Sequence, residues 1–189
     1  MLNPSAYWID NQRLKEVTSR FVKGPPGGAA QLPKEASTGT AVFLVHGANK
    51  ASREEVARFL EKVLAQETPV IVLQEEPNRG RTLIEKFEQT AVGARYAVVL
   101  LTADDVAHPV DSEETELRAR QNVVFELGFF FGELGRGRVA ALYDERVELP
   151  SDVQGLAYIP LDSAGGWKLA LARELRDAGL DSDLNRLAE

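Results

Sequence analysis

The residue whose type and surroundings point most directly to chemistry is Glu126, which lies in the stretch Asn-Val-Val-Phe-Glu-Leu-Gly-Phe-Phe-Phe-Gly-Glu-Leu-Gly from Asn122 to Gly135. Val123, Leu127, Phe130 and Leu134 fall on one face at helical spacing. Val124 and Phe131 widen that face, and Phe125 and Phe129 carry apolar character around the cylinder. The pattern predicts a helix from about Asn122 to Leu134 that is buried nearly all round. A carboxylate in such a helix is costly unless it is paired or put to use. Arg118 and Arg120 are possible pairing partners, so a buried ion pair and a working carboxylate are both open at this point. Asn122 sits one turn before Glu126 and adds a polar group beside it.

Three other stretches carry candidate groups. His46-Gly47 ends an apolar run and is either a strand-end packing residue or a ligand contact. A strand followed by His-Gly also suits the oxyanion loop of a serine hydrolase. That chemistry needs a G-x-S-x-G elbow, and no serine here is flanked that way. Asn78-Arg79-Gly80-Arg81-Thr82 places arginines and backbone amides at a helix start, which suits a phosphate. The same residues read more simply as Thr82 and Glu85 forming a capping box. Asp104-Asp105 suits ribose hydroxyls or a metal, but adjacent side chains on extended backbone diverge, which favours a solvated turn over a shared metal.

The elements that must position these groups alternate. Strands are predicted at Ala41–Val45, Val70–Leu73, Ala97–Leu101, Val139–Tyr143 and near Tyr158–Leu161. Helices are predicted from Ser52 (as N-cap) to Val63, over about Leu83–Ala91, at Asn122–Leu134 and at Trp167–Ala178, the last closed by Gly179. Three strands are continuous apolar runs, as in a parallel sheet covered on both faces. Ligands then bind beyond the carboxyl ends of the strands, where His46, the 75–81 loop and Asp104 fall. A loop of about 15–20 residues from Ala103 to Arg120 is longer than a compact domain ordinarily carries. Residues 1–39 form an arm with a short amphipathic pattern and a Pro/Gly-rich linker, GPPGGAAQLPKEASTG, ahead of a single domain over 40–189.

Composition limits the choice further. The chain has 189 residues, no cysteine and a net charge of −7. Thiolate nucleophiles, disulfides and zinc–thiolate sites are excluded, and an acidic chain gives no electrostatic reason to bind a nucleic-acid backbone. No apolar run reaches the roughly 18 residues of a membrane span, and no secretory signal opens the sequence, so a soluble cytoplasmic protein without a membrane partner is expected.

Taken together, VFLVHG (42–47), EEPNRGRTLIEKFE (75–88), YAVVLLTADD (96–105), RARQNVVFELGFFFGELGR (118–136) and PSDVQGLAYIPLD (150–162) resemble the TIR-like nucleotide-binding domains of bacterial CBASS and Pycsar anti-phage effectors, including STING–TIR fusions. The resemblance spans about residues 40–187. It implies a flavodoxin-like α/β fold with a parallel five-stranded sheet in the order 2-1-3-4-5. It also implies cleavage of NAD+ at the nicotinamide–ribose bond, with NAD+ as substrate and no further cofactor or metal. The family's catalytic glutamate lands on Glu126, and its BB loop on Glu75–Arg81. The candidate substrate-binding residues are His46, Gly47, Arg81, Asp104, Asp105, Arg120 and Asn122. Self-association into an oligomer or filament is implied as well. The 39 residues before the domain are too few for a sensor domain, so an activating signal is expected through a separate sensor protein. Two alternatives remain: a non-catalytic TIR module acting by self-association, and a nucleoside deoxyribosyltransferase-like enzyme, which also uses a glutamate on a flavodoxin-like sheet.

Overall fold

The structure is a computed structural model that describes residues 39–73, 93–108, 110, 114–150 and 156–188. The arm expected before residue 39, the 75–81 loop, the Thr82 capping box and the helix expected near 83–91 lie outside the described residues.

Five strands form one parallel sheet. They are β1 (Ala41–Val45), β2 (Val70–Val72), β3 (Ala94–Leu101), β6 (Val139–Tyr143) and β7 (Ala157–Pro160), in the order β2-β1-β3-β6-β7. This is the expected 2-1-3-4-5 order once a small hairpin between β3 and β6 is set aside. The sheet strands alternate their side chains between two separate cores. Val42, Leu44, Tyr96, Val98, Leu100, Ala140 and Leu142 pack under α1 (Lys50–Val63) and α3 (Gly166–Asp177). Ala41, Phe43, Val45, Ala97, Val99, Ala141 and Val139 pack under α2 (Gln121–Leu134). Burial on both faces is why β1, β3 and β6 read as unbroken apolar runs. Aromatic pairs pin each layer: Phe59 meets Trp167 edge-on at 5.0 Å between ring centroids, and Phe43 stacks on Phe130 at 5.9 Å.

Helix ends follow local chemistry. α1 is capped by Asn49, whose side chain accepts from the Ser52 backbone N–H at 3.1 Å. The cap expected at Ser52 therefore sits three residues too late, because Asn49 offers an equally good acceptor nearer the strand. At α3, both carboxylate oxygens of Asp162 accept from the N–H groups of Gly166 and Trp167. Its other end closes at Gly179, with φ of 80°. The Leu180 N–H reaches Leu175 O and the Gly179 N–H reaches Arg176 O, the paired bonds of a Schellman motif.

Two expectations are corrected. The segment 103–120 is not all loop: β4 (Asp105–Ala107) and β5 (Glu116–Arg118) form an antiparallel hairpin, and Leu117 bridges to Val147 beyond β6. Strands of three residues leave too little alternation to be seen in a sequence. Nor is α2 buried all round. Val123, Leu127 and Phe130 are buried, whereas Phe125 is 49% and Val124 is 37% exposed. The helix is amphipathic, and part of its outer surface is itself apolar.

Candidate functional site

The carboxyl ends of β1 and β3 are adjacent, since Val45 pairs with Val99. Two sequence candidates meet there in direct contact. Asp104 Oδ2 accepts from the backbone N–H of Ala48 at 3.0 Å and from the Thr102 hydroxyl at 3.1 Å. The Asp104 N–H donates to Thr102 O at 2.9 Å. This one carboxylate oxygen ties the segment after β1 to the segment after β3. Gly47 makes the approach possible, because a Cβ there would lie 1.7 Å from Asp104 Oδ2. Thr102, 2% exposed, was not singled out from the sequence. The signal was present as a hydroxyl two residues before an aspartate at the end of an apolar strand, the spacing of a local side-chain bond.

His46 stands just before this clasp and is half-buried. Its Nδ1 lies 2.8 Å from Gly47 O, which makes Nδ1 the protonated nitrogen, since a carbonyl oxygen only accepts. In the neutral ring Nε2 is then an acceptor, and it is buried with no hydrogen-bond partner among the described residues. A buried acceptor left open in this way beside the strand ends is a natural place for a ligand hydroxyl or amide to donate.

α2 brings the remaining candidates to the sheet. Arg120 precedes its first turn in extended conformation (φ −55°, ψ 137°), and its carbonyl accepts from the Val124 N–H. Asn122 is exposed in the first turn, and Glu126 is half-buried one turn later. Four residues beyond Glu126, Phe130 stacks on Phe43 of β1, so the helix is fixed against the strand that His46 follows. Asp105 does not join the group. Next to the inward-turned Asp104, it is exposed on β4 and lines a separate cleft with Arg118 and Phe125. Arg81 lies outside the described residues. Among the described residues, no group of three or more His, Asp or Glu side chains is disposed to hold a metal ion. None of the described helices is long and apolar enough to cross a membrane.

An open parallel sheet in this order, with a glutamate on the helix after the third sheet strand, is a flavodoxin-like arrangement that TIR domains share with other α/β proteins. A family model for the TIR domain of the CAP12/Pycsar effector protein matches residues 41–163, and the chain belongs to that family. It is 45% identical to the uncharacterized protein YuaY of Escherichia coli K12 over 145 residues, which cover 77% of this chain and 48% of that one. Protein tirC of Dictyostelium discoideum is 35% identical over 128 residues, 62% of each chain. The Pycsar effector protein PaPycTIR of Pseudomonas aeruginosa is 33% identical over 106 residues, 55% of this chain and 32% of that protein. The aligned regions therefore span between about a third and three fifths of these relatives' lengths.

Proposed function

We propose that this chain is an NAD+ glycohydrolase that cleaves the nicotinamide–ribose bond and acts as an effector of anti-phage defence, switched on by assembly and by a signal from a sensor. The observation that carries the reading is Glu126, a half-buried carboxylate in the middle of α2, on the helix that packs against the strand that His46 follows. Membership of the CAP12/Pycsar effector family and the effector name of the Pseudomonas aeruginosa relative support the defence role.

The chemistry suits a single carboxylate. Nicotinamide is bound to ribose as a cationic pyridinium and leaves as a neutral molecule, so no general acid is needed for departure. The sugar left behind develops oxocarbenium character, as in glycoside hydrolysis. A carboxylate held close to it stabilises that charge more strongly in the transition state than in the ground state, which is what raises the rate. Water then adds at the anomeric carbon and gives up a proton, leaving ADP-ribose. The open Nε2 of His46 accepts from a ribose hydroxyl or the nicotinamide amide, with the Asp104 clasp holding its loop in place.

The test is nicotinamide release from NAD+ by the purified chain at high protein concentration, compared with Glu126→Gln. Glutamine preserves shape and hydrogen bonding and removes the charge. Turnover falls at least about a hundredfold, the scale of losing one electrostatic stabiliser, with the melting temperature unchanged or raised. A destabilised variant that cleaves NAD+ at the parent rate per folded molecule removes Glu126 from the mechanism. No release by the parent chain at any concentration returns it to a self-association module.

A further inference from the structure

A concavity whose lining includes neither His46 nor Asp104 opens beside the clasp, next to Leu101 and Asp105. It is a cleft of about 850 Å³ between the β4–β5 hairpin, the first half of α2 and the segment after β6. Its lining includes the charged residues Asp105, Arg118 and Glu148 and the apolar residues Val106, Val124 and Phe125. Glu126 does not line it. At about 100° per residue Glu126 points about 160° away from Val124 and about 100° from Phe125, so the cleft uses a different flank of α2.

Two features of this cleft call for a ligand. The first is exposed apolar surface gathered in one place: Val106 is 60%, Phe125 49% and Val124 37% exposed, three of the seven large apolar side chains exposed among the described residues. The second is charge. Arg118 is held by Glu116 on its own strand. Asp105 and Glu148 make no side-chain hydrogen bond or ion pair with any described residue. The lining thus combines apolar surface with two carboxylates uncommitted among the described residues and one arginine already neutralised.

We propose that this cleft is a binding site for a small organic cation: a planar or branched apolar body ending in an ammonium, amidinium or guanidinium group. The apolar body buries against Val106, Val124 and Phe125, where the ring face also favours a cation. The charged end takes one or both carboxylates in charge-assisted hydrogen bonds, which an amidinium or guanidinium makes in pairs. The volume falls in the range of small-molecule pockets, about 300–1,000 Å³. The same carboxylates repel phosphates, so the cleft discriminates against nucleotides and is independent of any dinucleotide site beside Glu126.

Benzamidine, a ring bearing an amidinium, is the probe, titrated calorimetrically into the full chain beside benzoate and guanidinium chloride. Saturable benzamidine binding is expected, with benzoate and guanidinium at least about tenfold weaker because one has the wrong charge and the other lacks the ring. Affinity falls at least about tenfold in the paired variant Asp105→Asn, Glu148→Gln and in Phe125→Ala, and it is retained in Glu126→Gln. These substitutions shorten or neutralise exposed side chains, and circular dichroism confirms that each variant is folded. No saturable benzamidine binding at millimolar concentration overturns the proposal. So does equal binding of benzoate, unchanged affinity in the carboxylate variant, or loss of affinity in Glu126→Gln.

Discussion

Replacing Gly47 by alanine tests whether the strand-end loops are held as the geometry implies. The φ of Gly47 is not positive, so alanine meets no backbone penalty there. The obstacle is contact: the new Cβ falls 1.7 Å from Asp104 Oδ2 and 2.8 Å from Asp104 Cγ. An ordinary contact is nearer 3.5 Å, so the carboxylate must swing away by about 2 Å. That motion breaks both of its bonds, to the Ala48 N–H and to the Thr102 hydroxyl. Ala48 is exposed and exchanges its partner for water at little cost. Thr102 is 2% exposed, and a buried hydroxyl stripped of its acceptor costs about 1–3 kcal/mol. The expected loss is about 2–3 kcal/mol in urea unfolding, followed by fluorescence of buried Trp167 with an unchanged m value. Asp104→Gly removes the obstacle along with both bonds, so adding Gly47→Ala to it should cost less than about 0.5 kcal/mol. The double variant then shows a coupling of about 2 kcal/mol. Additive losses in the two single variants would refute the clasp.

The Tyr96 hydroxyl is buried without a hydrogen-bond partner among the described residues, and burial, with Glu174 and Asp177 adding to it, pushes its pKa well above that of a free phenol. A proton bound more tightly in the folded chain stabilises fully below the unfolded pKa of about 10 and is lost as pH rises above it. Tyr96→Phe should therefore hold or raise stability at neutral pH and flatten the decline above pH ~10 in thermal melts, while an unchanged alkaline limb would locate that decline elsewhere. Asp162 has its carboxyl pKa lowered chiefly by the Gly166 N–H and also by the Trp167 N–H. Its contribution is present above the ordinary carboxylate range and is lost as pH falls through its folded pKa. Asp162→Ala should lower the melting temperature at neutral pH and narrow the gap to the parent in acid, where a constant gap would assign the cap's effect to something other than charge.

How much could be read from the sequence depended on how each segment is buried. β1 and β6 match their expected bounds because both are short, wholly apolar and closed by a polar residue, His46 in one case and Asp144 in the other. β3 begins three residues before its expected start. Arg95 interrupts the apolar run, yet Tyr96 is fully buried and Ala94 already lies in the sheet. The site was partly legible in the same way. His46, Gly47 and Asp104 were marked by their place at strand ends, a rule of topology that needs no contact information. That Gly47 and Asp104 lock together depends on a long-range approach that no local pattern encodes. The cleft beside the hairpin stayed hidden because its walls come from three segments and its strands have three residues each.

α2 shows most clearly where pattern reading goes astray, and for a physical reason. A helix apolar on nearly every side is ordinarily one enclosed by its own domain. Here full burial is confined to Val123, Leu127 and Phe130, with Phe129, Phe131 and Leu134 packed partly buried beside them, while Val124 and Phe125 line a cleft. Apolar surface left exposed lowers solubility and is stabilised further when something covers it. The apolar excess and the carboxylate of Glu126 are therefore separable properties of one helix. Glu126→Gln alters one without touching the cleft, and Phe125→Ala alters the other without touching the carboxylate. If the two substitutions were to change NAD+ turnover and cation binding together, the helix would be acting as a single element linking both sites. If each changes only its own readout, α2 is a shared wall between independent sites.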